Sequence, residues 1–200
     1  MLFERITASG VGLTIGSIGT NTIVNNITFR DCFMHHTWKG IYMKFRGGDS
    51  SVGARIRNVL YENIFIEEPE QFAIWIGPAQ QYFDDCSIFY PYLGTCTIDE
   101  NFIYENITLR NITVVDPKFK FGHGVILGHE NTPMQVYNQF ILRLKLTSNF
   151  LKNIVFDGVK VIGASDPDHE RYLRCEGVEN GLALGDTYPV PPCFQDKTDK

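Results

Sequence analysis

The chain has 200 residues, of which 44% are hydrophobic, 20% charged and 13% aromatic, the balance of a folded domain that buries its own core, so wholesale disorder is excluded. Apolar stretches such as Phe72-Ala73-Ile74-Trp75-Ile76 fall far short of the ~20 residues that a membrane-crossing helix needs. A net charge of −5 and a pI near 5.5 argue against a general nucleic-acid binder, which requires a basic face.

Four segments align column by column along the chain: Asn26–Met34, Asn58–Ile66, Asn106–Val114 and Asn153–Val161. Each begins with Asn and places apolar residues at offsets one, three, six and eight. Period-two alternation is a strand signal, and its phase skips by one between offsets three and six. At the skip stand Asp31, Asn63, Asn111 and Gly158, residue types that tolerate a left-handed backbone. Each unit therefore reads as strand, one-residue corner, strand.

A third strand follows: Gly40–Phe45 and Phe72–Ile76, both fourteen residues after the leading Asn, and Gly124–Leu127, displaced by an insertion around Asp116-Pro117. Three short strands per coil, stacked with apolar residues inward, predict an all-β chain, a right-handed parallel β-helix of about four to five turns. Ile27, Phe29, Val59, Tyr61, Ile107, Leu109, Ile154 and Phe156 are its expected inner columns. A leucine-rich horseshoe lacks its consensus here, and a β-sandwich would not repeat one corner residue four times. Unit starts lie 32, 48 and 47 residues apart, and the excess falls in loops after the third strand, at Gly47–Ala54, Pro78–Asn101 and His129–Asn149. Function is expected beside that strand.

The same register runs back to the start, with Phe3, Ile6 and Ala8 as inward residues and Gly12–Ile15 as a third strand. The chain thus opens one residue into a coil and reads as a fragment of a longer protein. The solenoid is expected over residues 1–162, with the Pro- and Gly-containing tail 163–200 leaving it as a cap stapled by Cys175 and Cys193. Cys86 and Cys96 bracket another loop, and Cys32 is the odd one out. Such cysteine usage favours an extracellular protein, although the N-terminus lacks the apolar core of a signal peptide.

Between Lys39 and Arg57 five cations face one anion, Asp49. In Ile41–Arg46, alternation sends Ile41, Met43 and Phe45 inward and Tyr42, Lys44 and Arg46 to one outer face. An aromatic ring and two cations suit a sugar acid, the ring stacking on the sugar and the cations pairing with its carboxylate. An ordinary solvated strand face is the plainer reading.

Ser9–Gly19, Asn26-Ile27-Thr28 and Gly40-Ile41-Tyr42-Met43-Lys44 resemble the second half of the polygalacturonases, glycoside hydrolase family 28, from about Met1 to the Cys86–Cys96 loop. The resemblance implies a right-handed parallel β-helix that hydrolyses pectin by inversion using three Asp residues. Its Gly-His-Gly segment aligns with Gly10-Val11-Gly12, putting Val11 at the family's His position. Its Arg-Ile-Lys segment aligns with Tyr42-Met43-Lys44, with Arg46 a stand-in for the missing Arg. The family's carboxylate motifs lie before the position of Met1, so the catalytic residues are unassigned in this chain.

Other groups carry less. Asp84-Asp85 abuts Cys86 and its side chains would diverge on an extended backbone; Asp99-Glu100 and Glu67, Glu68 and Glu70 are further carboxylates, the last three in a turn around Pro69. His35 and His36 are adjacent and cannot chelate one ion, while His123 and His129-Glu130 flank the third strand of the third unit, His129 being a displaced substitute for the lost His. The sequons at Asn26, Asn106 and Asn111 coincide with repeat positions, where corner hydrogen bonding accounts for them. No cofactor and no metal are expected. The expected partner is an acidic, polygalacturonate-like polysaccharide, with no nucleic acid or membrane, and the chain a monomer. The alternatives are a non-catalytic β-helix that binds such polysaccharide, or a structural solenoid.

Overall fold

The computed structural model describes residues 1–46, 53–79, 102–118, 124–127, 151–163 and 173–199. Fourteen strands follow one another among them, and no helix occurs: β1 Leu2–Glu4, β2 Thr7–Gly10, β3 Leu13–Ile18, β4 Ile23–Thr37, β5 Ile41–Phe45, β6 Ala54–Glu67, β7 Ile74–Pro78, β8 Phe102–Val115, β9 Gly124–Leu127, β10 Leu151–Ile162, β11 Leu173–Glu176, β12 Val178–Glu179, β13 Leu182–Gly185 and β14 Gln195–Thr198. Every strand pairing is parallel. One sheet runs β1-β4-β6-β8-β10-β13-β14, with β2 beside β4 and β12 beside β10; the other runs β3-β5-β7-β9-β11. This is a parallel β-helix.

The long strands β4, β6, β8 and β10 bend because single residues in them leave the extended region. Asp31, Asn63, Asn111 and Gly158 have φ of 55°, 54°, 50° and 67°, the left-handed corner expected from their types. A second corner stands at the leading Asn, where Asn26, Asn58, Asn106 and Asn153 have φ between 55° and 59°. Here the side chains also bond from coil to coil. Asn58 Nδ2 donates to Asn25 Oδ1 at 2.8 Å, Asn106 to Asn58 at 3.0 Å, Asn153 to Asn106 at 2.9 Å and Asn180 to Asn153 at 3.2 Å. Asn63 and Asn111 form a parallel ladder up from Asp31, at 2.9 and 2.8 Å. At Asn58, Asn63, Asn106, Asn111 and Asn153 the residue thus serves two requirements, a tolerated φ and a stackable amide.

Inside, the predicted columns are the observed ones. Ile27, Val59, Ile107 and Ile154 are in register, as are Phe29, Tyr61, Leu109 and Phe156. All but the half-buried Ile27 are sealed from solvent. Burial of each such side chain contributes about 1.5–3 kcal/mol. Phe3, Phe29 and Tyr61 continue one column as a ring stack, with centroids 5.0 and 4.8 Å apart and planes within 17° and 15° of parallel. Across the interior, Tyr104 Oη in β8 directs its single proton between the Gly77 and Met43 carbonyls, 2.7 and 3.0 Å away, tying one sheet to the other.

Two registers differ from the sequence reading. Ile41 pairs with Ile74, so Gly40 lies across from Ala73 and not Phe72; the Gln71 amide still bonds Trp38 O, which confines the extra residue to the stretch between Glu70 and Ala73. The segment after residue 163, expected to leave the solenoid, continues its pairing: β11 extends the second sheet from β9, and β13 and β14 extend the first from β10. Phe194 closes the end of the core against Phe156, with centroids 5.1 Å apart. Cys175 and Cys193 form the expected disulfide, Cα atoms 5.5 Å apart, and Cys32 is free and buried. Cys86, Cys96, Asp84, Asp85, Asp99, Glu100, His123, His129 and Glu130 lie outside the described residues.

Candidate functional site

The outer side of the second sheet is built on β3, β5 and β7. Alternation on β5 is as expected: Ile41, Met43 and Phe45 are fully buried inside, while Tyr42 and Lys44 point away from the core and Arg46, just past the strand, is exposed. Thr14, Tyr42 and Trp75 occupy one outward column.

Tyr42 is nevertheless only 3% exposed, so its ring does not stand open as a sugar platform. Lys39, two residues before the inward Ile41, packs over this ring. Lys39 is 1% exposed, and its Nζ lies 4.6 Å from the Tyr42 centroid, 4.8 Å from that of Trp38 and 5.7 Å from that of Trp75. Its remaining polar need is met by Gln71 Oε1, 2.6 Å away. Three ring quadrupoles and one carbonyl replace the water that a buried ammonium loses. Burial, and secondarily the Lys44 charge, lower the Lys39 amine from its ordinary range to about 7.

Lys44 is half-buried, with Nζ 4.3 Å from the Tyr42 centroid, and burial lowers its amine too. Tyr42 thus connects the two ammonium groups. Lys44 then reaches the wall of a cavity of about 440 Å³, lined also by Val11, Thr14, Gly16 and, deeper, Leu13, Phe29 and Met34. No carboxylate is among its described lining residues, and no described carboxylate pairs with Lys44 or Arg46.

Val11 stands at the rim, 46% exposed, on a turn that demands glycine on both sides. Gly10 and Gly12 have φ of 104° and 101°, and a Cβ on Gly12 would fall 1.8 Å from the Lys39 carbonyl oxygen. Gly12 therefore serves close packing of this turn on the next coil, whereas Gly10, whose Cβ would meet nothing within 4 Å, serves the positive φ alone. The next coil follows closely: Trp38 N donates to Gly10 O at 2.6 Å and Lys39 N to Val11 O at 3.2 Å.

The remaining candidates fall elsewhere. His36 is a left-handed corner with φ 48°, its Nδ1 3.2 Å from Glu68, and Glu68 also pairs with Lys118 at 2.7 Å. The Lys118 ammonium holds the Glu68 carboxyl below its ordinary range. Here the ion pair is Glu68 with Lys118, and His36 is a neighbour at the corner. Among the described residues no cluster of three His, Cys, Asp or Glu could hold a metal ion. Trp38 and Lys39 are what the sequence reading missed; the Trp38-Lys39 pair ahead of Tyr42 is the only local signal, and Trp75, 0% exposed, completes the cluster from the next coil.

No curated protein and no solved structure matches the chain. The model of one family, glycosyl hydrolases family 28, matches residues 2–115, from β1 through β8 and across the Gly10-Val11-Gly12 turn and the Tyr42–Lys44 face. With more than half its length matched and a parallel β-helix as its fold, the chain belongs to glycosyl hydrolases family 28, glycoside hydrolases of the polygalacturonase kind.

Proposed function

We propose that this chain is the substrate-positioning part of a polygalacturonase-like hydrolase, holding pectin or a related acidic polysaccharide along the second sheet by Lys44 and Arg46, with Tyr42 as the support on which Lys44 rests. Family membership implies a polysaccharide substrate, and an extracellular setting accords with the disulfide. The observation that carries the acidic substrate is the cavity wall itself, where Lys44 meets Val11 and Thr14 with no described carboxylate to neutralise it. Hydrolysis by inversion requires an acid and a base carboxylate ~6.5–9.5 Å apart. In this reading those two groups come from outside the 200 residues, in the full-length protein.

Binding is measured by calorimetry with oligogalacturonate against neutral oligogalactose. The expectation is preference for the acid form and a loss on Lys44→Ala or Arg46→Ala that shrinks with added salt, since exposed charge pairs are screened beyond ~10 Å at 0.1 M. If both variants keep full affinity at low salt, the positioning role is wrong.

A second reading, a β-helix that binds acidic polysaccharide without cutting it, is favoured by Val11, which offers neither charge nor hydrogen bond at the rim. Release of reducing ends from polygalacturonate by the full-length protein separates the two. Steady release supports the hydrolase, and retention without release supports the binder.

A further inference from the structure

We propose that the outward face of the Trp38 indole is a stacking platform for one sugar ring of the acidic polysaccharide, beside Val11 at the cavity rim. The inference rests on the substrate reading above and adds a contact that the β5 face does not contain. Trp38 is 43% exposed, whereas Trp75, the other tryptophan of the chain, is 0% exposed and bonded through Nε1 to Pro78 O at 2.9 Å.

An indole left in water at a rigid place has a cost in apolar surface that a ligand can recover. The place is rigid because both main-chain groups of Trp38 are tied into neighbouring coils: its N–H donates to Gly10 O at 2.6 Å, and its carbonyl accepts from Gln71 N at 2.8 Å. Behind the ring sits the Lys39 ammonium, 4.8 Å from its centroid. That ammonium is itself fixed by Gln71, Tyr42 and Trp75. A ring held in this way loses little conformational freedom on binding.

The chemistry that fits is a pyranose whose C–H face lies flat on the indole and whose carboxylate looks toward cations. Lys39 and Lys44 share the Tyr42 ring, so the platform and the exposed cation belong to one cluster. Val11 extends the apolar surface next to it, because the Lys39 amide hydrogen bond to Val11 O sets the two coils edge to edge.

The full chain is titrated with oligogalacturonate at low salt while tryptophan emission and acrylamide quenching are followed. Since Trp75 is buried, quenching reports Trp38. Ligand is expected to shift the emission to the blue and protect it from acrylamide. Trp38→Ala is expected to weaken affinity on the order of tenfold, with Trp38→Phe retaining most of it. Trp38→Phe keeps a ring over the Lys39 ammonium and is expected to melt near the wild type, with Trp38→Ala lower but still folded. If oligogalacturonate binds and Lys44→Ala weakens it, while emission, quenching and the Trp38→Ala affinity do not change, the platform is overturned and the substrate reading stands. Equal protection by neutral oligogalactose keeps the platform and overturns the acidic preference. Absence of binding by either sugar overturns both.

Discussion

The side-chain amide of Asn106 donates to the side-chain carbonyl of Asn58, one coil earlier, at 3.0 Å. Asn106 does this from a left-handed backbone, φ 56°, and passes its own carbonyl to Asn153. Two effects therefore separate by substitution. Asn106→Ala loses the ladder bonds and strains φ, an expected cost of about 1–3 kcal/mol, whereas Asn106→Gly loses only the bonds. Urea denaturation of both variants distinguishes them, and equal losses would refute a backbone contribution.

Tyr104 and Tyr61 are both fully buried phenols that reach a carbonyl of the opposite sheet, but on unequal terms. Tyr104 shares its one proton between carbonyls 2.7 and 3.0 Å away, whereas Tyr61 Oη lies 3.4 Å from Leu13 O. Tyr104→Phe is expected to cost about 1–3 kcal/mol and Tyr61→Phe distinctly less. Burial raises the pKa of both phenols, so neither titrates with the folded chain, and the absorbance of phenolate at high pH is expected to lag that of the exposed tyrosines.

The lowered amine of Lys39 has a definite sign in stability. Folded, it releases its proton at about 7; unfolded, it does so in the ordinary lysine range near ~10.4. Between those limits the unfolded chain binds one proton more, so stability rises with pH by at most ~1.4 kcal/mol per unit from this group, and below the lower limit the slope vanishes. Contacts that favour the protonated amine, such as those with the three rings and Gln71, act on the lower limit of this window and leave the slope within it unchanged. Denaturation of wild type and Lys39→Met at pH 7, 8 and 9 is expected to show the wild type gaining on the variant as pH rises. A constant difference would count against a depressed amine.

Val11 is exposed on a turn whose shape depends on its flanking glycines, so Val11→His is expected to fold with unchanged stability. In a protein that also carries the family's carboxylate segments, the added imidazole is expected to raise polygalacturonate hydrolysis. A general acid–base helper is worth 10²–10⁴-fold at most. Initial rates with and without the substitution test this, and unchanged rates would mean that residue 11 does not reach the reacting bond.

The columns at residues 27, 59, 107 and 154 were legible because period-two alternation with a single phase skip has one structural solution. At Asn26 and Asn106 the sequence predicts corner hydrogen bonding, but neither the left-handed φ nor the bonding partners are legible there, because the amide ladder joins side chains 47 or 48 residues apart. The enclosure of Lys39 is hidden for a related reason. In a cationic stretch a lysine looks solvated, and only Trp75 and Gln71 from the next coil show that it is enclosed. Strands β11 to β14, of two to four residues, are too short for alternation to reveal, which is why residues beyond 163 read as a stapled cap without strands of their own.

One outer column alternates in charge: Glu4, Arg30, Glu62, Arg110 and Asp157 lie in register on consecutive coils. Arg30 meets Glu4 at 2.5 Å, and Arg110 spans Glu62 and Asp157 at 3.4 and 3.2 Å. Singly, such surface pairs contribute little. Their order does something else. The apolar columns would accept almost any coil upon any other, since each presents aliphatic or aromatic side chains at the same offsets. A chain that skipped one coil while folding would set Glu4 against Glu62 or Arg30 against Arg110, like charge on like. The column therefore acts as a parity check on coil order, penalising the misassembly that a repetitive core cannot itself detect.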